Sequence, residues 1–367
     1  MARVGPCNAP DHSCRLDNDA RMRSLRVREI GRYNAPALKQ NPKPGNPTSA
    51  PAEVRVKTLS GILLPLPTPF DGNDVVDTPS LCADIENWNK TGIAGYVLLG
   101  STGERAHLGE HECLNVIESA RENVPDAMLF IVGAGQQSTR ATIDEVRRVA
   151  TAGSEAMLVI TPHFYRAEMT QNVLINHYLA VADASPVPVL LYSIPQLTGV
   201  TLAPETIATL SAHENIIGVK DSSGDILALA ETVRQVPEDF AVLTGSGSAL
   251  YPALCIGARG GILAIGCIAP RLAVEVYEAF QTGEHESARK LQQRLTTLTR
   301  GILGRYGISG LKVALDMLGY SGGKVRAPLQ DASEEARRTI AAILNETGLM
   351  ASEADGDEYR LAGASIR

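Results

Sequence analysis

From Ser60 onward, short apolar runs alternate with amphipathic stretches at a spacing of roughly 25–30 residues. The runs cover 61–65, 95–99, 128–133, 156–160, 187–192, 216–220, 241–244 and 261–265. Each is too short for a helix and is bounded by turn-forming residues, so each reads as a buried strand. Between and after them, 79–88, 110–123, 140–152, 171–184, 204–211, 226–236, 248–256 and 271–282 carry apolar residues three and four apart, as helices with one buried face do. Eight strand–helix repeats predict an α/β fold of one kind, a closed (β/α)8 TIM barrel. An open doubly wound sheet usually has fewer strands and a glycine-rich phosphate turn after the first. Here Pro65-Leu66-Pro67-Thr68-Pro69 follows instead.

The chain divides accordingly. Residues 1–57 mix arginines with Asn, Pro and a few acids and read as a mobile arm. Residues 58–282 form the barrel. Residues 283–346 add a helical layer, with helices expected at 284–300, 309–318 and 334–345. Residues 347–367 are expected to fray. The arm lacks the apolar core of a secretory signal, and Asp11, Asp17, Asp19 and Glu29 argue against an organelle transit peptide. A cytoplasmic protein is the expectation. The net charge of -7 and the lack of a basic stripe in the body of the chain argue against nucleic acid as partner. No stretch is long and apolar enough to span a membrane. Cys7, Cys14, Cys82, Cys113, Cys255 and Cys267 are scattered, which fits neither a zinc pattern nor a disulfide framework.

In barrels of this kind the active site lies at the C-terminal ends of the strands. The sixth run ends at Lys220 and is followed by Asp-Ser-Ser-Gly-Asp. A lysine at the end of a buried strand is unusual. Burial favours the neutral amine, the form that attacks a carbonyl. The plainer readings are a lysine that snorkels outward or pairs with Asp221. Asp221 is expected to point away, since neighbours alternate across a strand. Tyr192 ends the adjacent run and is placed to move a proton as general acid and base. The Gly-Ser-Thr-Gly-Glu turn at 100–104 offers the hydroxyls and N–H groups of Ser101 and Thr102 to a carboxylate. Ordinary alternatives are a half-buried tyrosine and a plain helix-capping turn.

Four motifs carry a family likeness: Gly-Ser-Thr-Gly-Glu at 100–104, Tyr-Ser-Ile-Pro-x-x-Thr-Gly at 192–199, Gly-Val-Lys-Asp-Ser-Ser-Gly-Asp at 218–225 and Gly-Ser-Gly at 245–247. In that order and spacing they resemble the dihydrodipicolinate synthase / N-acetylneuraminate lyase superfamily, from about residue 60 to 345. The resemblance implies a class I, Schiff-base aldolase with pyruvate as the common half of its substrate. It needs no cofactor and no metal, and is usually a homotetramer, a dimer of dimers. It makes Lys220 the Schiff-base lysine, Tyr192 the proton shuttle, Ser101 and Thr102 the carboxylate site, and Gly245 and Ile262 pocket wall. Leu197 stands where dihydrodipicolinate synthases carry a substrate-binding arginine. Phe164 stands where the relay has a tyrosine, with Tyr165 as its candidate substitute. Residues 182–193, 305–312 and 326–330 look most like 4-hydroxy-2-oxoglutarate aldolases, although Thr102 replaces the asparagine expected there. Sialic acid lyases and 2-keto-3-deoxy sugar-acid aldolases or dehydratases are the other enzymatic alternatives.

Two further readings carry less weight. His107-Leu108-Gly109-Glu110-His111 matches a zinc-hydrolase signature, but Gly109 interrupts the helix that would align the histidines. A barrel that only binds sugar acids is possible on fold alone, and an intact Lys220 and Tyr192 argue against it.

Overall fold

The strands hydrogen-bond in sequence order and the last pairs with the first: β1 (Gly61–Pro65), β2 (Gly95–Leu98), β3 (Leu129–Ala134), β4 (Ala156–Ile160), β5 (Val189–Ser193), β6 (Ile216–Asp221), β7 (Ala241–Thr244) and β8 (Gly260–Ile262). All pairs are parallel, so the sheet is a closed barrel. This computed structural model describes residues 59–350; the arm at 1–57 and the tail beyond 350 lie outside the described residues.

Side chains alternate along each strand, and the alternation divides the core in two. Leu63, Val97, Ile131, Leu158, Leu190 and Leu243 fill the barrel interior. Leu64, Leu98, Val132, Val159, Leu191 and Val242 face outward and join the helices in a larger cluster. Trp88 belongs to that outer layer. It is fully buried, donates from Nε1 to the Cys267 carbonyl at 2.9 Å and stacks on Tyr320.

The structure departs from the sequence reading in three places. β8 is only three residues long, and the apolar run expected to continue to 265 turns into a 3-10 helix at Ala264–Cys267. A kink at Gly307 separates the expected helices 284–300 and 309–318, as the sequence reading has it, but the residues between them are helical as well. His285–Leu298 runs into a π-helical turn at Thr299–Leu303, and the helix resumes over Gly304–Met317. The Thr299 hydroxyl donates back to the Leu295 carbonyl at 2.7 Å, a contact that loosens a helical ladder. The backbone leaves helical angles only at Gly307 (φ 60, ψ -143) within that last helix. Finally, residues 347–350, expected to fray, are held. Thr347 is buried, its hydroxyl donates to the Ile343 carbonyl at 2.7 Å, and Leu349 N–H reaches the Leu344 carbonyl at 2.9 Å.

Candidate active site

Register aims Lys220 inward. In the β5–β6 ladder Tyr192 is the partner of Lys220, and in β6–β7 the partner is Leu243. Partners across parallel strands point to the same face, and Tyr192 and Leu243 both belong to the interior cluster. Lys220 is 4% exposed, with Nζ 4.3 Å from the centroid of the Tyr192 ring. Asp221, one residue on, faces the other way. Its Oδ1 accepts from Ser223 N–H at 2.8 Å and from the Ser223 hydroxyl. Burial raises its carboxyl above the usual range despite those bonds. Among the described residues no carboxylate lies within ion-pair distance of Lys220.

The Tyr192 hydroxyl shares a hydrogen bond of 3.0 Å with the Ser101 hydroxyl. Ser101 and Thr102 sit in the turn after β2, bracketed by two non-glycine residues at positive φ, Leu99 (φ 52) and Glu104 (φ 54). The turn is pinned on both sides. Thr68 Oγ1 donates to the Gly103 carbonyl at 2.7 Å, and Glu104 forms a buried ion pair with Lys312 at 2.6 Å. Strain of this kind persists only where the surroundings over-determine it.

Lys220, Tyr192, Ser101, Thr102, Gly245 and Ile262 line one cavity of about 460 Å³ at the C-terminal mouth of the barrel. Gly245 is wall because nothing larger fits. A Cβ there would stand 3.0 Å from Lys220 Cε and 2.0 Å from the Ser222 hydroxyl. A second cavity of about 310 Å³ shares Ser101, Tyr192 and Leu197 and extends toward His163 and Gln137.

Tyr165 is the site residue that the structure does not bring in. It is 68% exposed, packs edge-on against Phe164 at 5.0 Å, and lines neither cavity. The cause is Gln137, whose Oε1 accepts from the N–H groups of both His163 and Phe164 and turns the segment outward. The two histidines of the zinc-like motif do not share a helix. His107 ends a 3-10 turn and His111 lies in the helix that starts at Glu110. Among the described residues no cluster of three or more His, Cys, Asp or Glu side chains could hold a metal.

Sequence reasoning missed Arg300, which lines the Lys220 cavity from the π turn. A trace of it was present: Gly301, Gly304, Gly307 and Gly310 recur at every third position. That pattern reads as a broken helix, and the chain does leave the α-helix here, in the π turn and at Gly307 (φ 60, ψ -143).

Residues 58–347 match the model of the dihydrodipicolinate synthetase family. A 4-hydroxy-tetrahydrodipicolinate synthase of Exiguobacterium sp. is 32% identical over 288 residues, covering 78% of this chain and 98% of the relative. Among solved structures, a dihydrodipicolinate synthase of Bacillus anthracis superposes with a TM-score of 0.75 at 30% identity, covering 78% of this chain and 97% of that one. YagE, an Escherichia coli prophage protein of the same family crystallised in complex with pyruvate, gives 0.75 at 28%, covering 80% and 99%. No helix among the described residues is long and apolar enough to cross a membrane. On barrel, motifs and matched length together, this chain is a lyase of the dihydrodipicolinate synthetase family.

Proposed function

We propose that the enzyme is a class I aldolase acting on a 2-oxo acid with pyruvate as one half, and that it splits 4-hydroxy-2-oxoglutarate into pyruvate and glyoxylate. The observation that carries the reading is a buried Lys220 over the Tyr192 ring, with the Tyr192 hydroxyl already bonded to Ser101. The amine of Lys220 adds to the C2 ketone, the Tyr192 hydroxyl gives its proton to the departing oxygen and water leaves, giving an iminium and a Tyr192 phenolate. The phenolate takes the proton of the C4 hydroxyl, the C3–C4 bond breaks, and its electron pair moves into the iminium to give an enamine. Glyoxylate departs. Protonation at C3 and hydrolysis release pyruvate and restore Lys220. Ser101 and Thr102 hold the C1 carboxylate through hydroxyl and N–H groups.

The substrate choice rests on the likeness at 182–193, 305–312 and 326–330 and on Leu197, which offers no cation to the aldehyde substrate of a dihydrodipicolinate synthase. The names of the relatives favour that synthase as the second reading. The same reading gives a homotetramer, and the exposed Phe164, Tyr165 and Leu197 offer apolar surface for it.

Borohydride reduction in the presence of pyruvate tests the core of the proposal. It is expected to fix a three-carbon adduct on Lys220, mapped by mass spectrometry, and to inactivate the enzyme. An unmodified Lys220 defeats the reading. Pyruvate release from 4-hydroxy-2-oxoglutarate, compared with condensation of pyruvate and aspartate semialdehyde, then decides between the two substrates.

A further inference from the structure

The cavity over Lys220 holds a second cation that the steps above leave unused. Of the residues lining it, only Lys220 and Arg300 are of a charged type, and Lys220 is taken up by the Schiff base. Among the described residues no carboxylate lies within ion-pair distance of Arg300, which is exposed at the end of the cavity built by the π turn Thr299–Leu303. With the near carboxylate on Ser101 and Thr102 and Lys220 bonded to C2, a cavity that keeps one free cation and has no acidic side chain in its lining fits a ligand with a second negative charge.

We infer that Arg300 is the specificity residue of this site: it binds the distal carboxylate of a dicarboxylic 2-oxo acid whose near carboxylate lies on Ser101 and Thr102. The inference rests on the Schiff-base reading and deepens it, since it names the residue that selects a diacid over a monoacid. A guanidinium meets a carboxylate through two parallel N–H bonds, which fixes the far end of the substrate as well as attracting it.

Iminium trapping tests this without any cleavage step. The half-saturating concentration is measured by borohydride trapping for 2-oxoglutarate and for 2-oxopentanoate, which ends in a methyl group where the first has a carboxylate. The wild-type enzyme is expected to prefer the diacid by about ten- to a hundredfold, the weight of one charge-assisted hydrogen-bonded contact. Arg300→Gln is expected to erase most of that preference and Arg300→Lys to restore part of it. Raising ionic strength is expected to weaken the preference in the wild-type enzyme, a readout that needs no variant. A wild-type enzyme with no preference for the diacid, or an Arg300→Gln enzyme that keeps it, overturns the assignment. An enzyme that forms no adduct even with pyruvate defeats the Schiff-base reading instead, so the two failures are told apart.

Discussion

His177 and Asp84 are buried ionisable groups outside the active site, and burial shifts them so that their effects on stability oppose each other. The His177 ring meets Thr139 Oγ1 through Nδ1 at 2.9 Å, while its buried Nε2 has no partner. Desolvation pushes its pKa down from 6.5 to about 4. Between those values the unfolded chain takes up a proton that the folded chain refuses, so stability is lost as pH falls from 6.5 toward 4. Asp84 receives Ser321 N–H on both carboxylate oxygens, yet burial raises its pKa from 3.8 to about 6. Here the folded chain holds the extra proton, so stability is gained as pH falls from 6 toward 3.8. Each effect is limited to about 3 kcal/mol at 1.36 kcal/mol per pH unit. The two therefore nearly cancel in the wild-type enzyme. His177→Gln is expected to make the protein gain stability on acidification between pH 6.5 and 4.5, relative to wild type. Asp84→Asn is expected to make it lose more. Urea midpoints across that range check both, and variants that track the wild-type pH profile refute the assignment.

At the scale of elements, the turn carrying Ser101 and Thr102 is tied to the C-terminal helices by one buried ion pair. Lys312, on the helix Gly304–Met317, is 1% exposed, and its Nζ lies 2.6 Å from Glu104 Oε1 and donates to the Lys324 carbonyl at 2.6 Å. Glu104 Oε2 also accepts from Arg326 N–H at 2.9 Å. Burial drives the Lys312 amine below its ordinary pKa, and Glu104 pulls it back. Removing one partner strands a buried charge, so Lys312→Met is expected to cost about 3–5 kcal/mol. Adding Glu104→Gln to that variant is expected to recover much of the loss, because neither charge is then left alone. Denaturant melts of the three variants test this, and a double variant worse than the sum of the singles sinks it. Elements like these were legible to different depths. Strands β1, β4 and β7 could be read to the residue, because turn residues bound their apolar runs on both sides. β8 could not, since Ile262 to Ile265 stays apolar while the chain has already turned. In the site, Lys220 and Tyr192 were readable because strand parity aims a side chain by local rules. Tyr165 was not, because its direction is set by Gln137 from another loop. Arg300 escaped because a helix that widens by one residue leaves no mark stronger than its glycine spacing.

A closed barrel has no edge, so the whole molecule depends on its weakest seam. That seam is β8, three residues that must pair with β7 through Leu243↔Gly260 and with β1 through Gly61↔Gly260. Gly260 has φ +148, and a Cβ on it would stand 2.0 Å from the Gly61 carbonyl oxygen. That neighbour is the backbone of the partner strand and cannot rotate aside. Alanine there meets both a disfavoured conformation and a collision, and relief requires β1 and β8 to part. The consequence reaches far, because the residues around Lys220 come from the ends of β2, β5, β6, β7 and β8, and each is aimed by the register of its neighbours. Gly260→Ala is therefore expected to lose more than about 3 kcal/mol of stability and pyruvate trapping at Lys220 together, although position 260 does not line that cavity. Gly72→Ala is the control: its new Cβ would meet no atom within 4 Å, so melting temperature and trapping are expected to hold. Should Gly260→Ala melt close to the wild-type temperature and still capture pyruvate, the ring tolerates an open seam, and the placement of Lys220 owes less to closure than to β5 and β7 beside it.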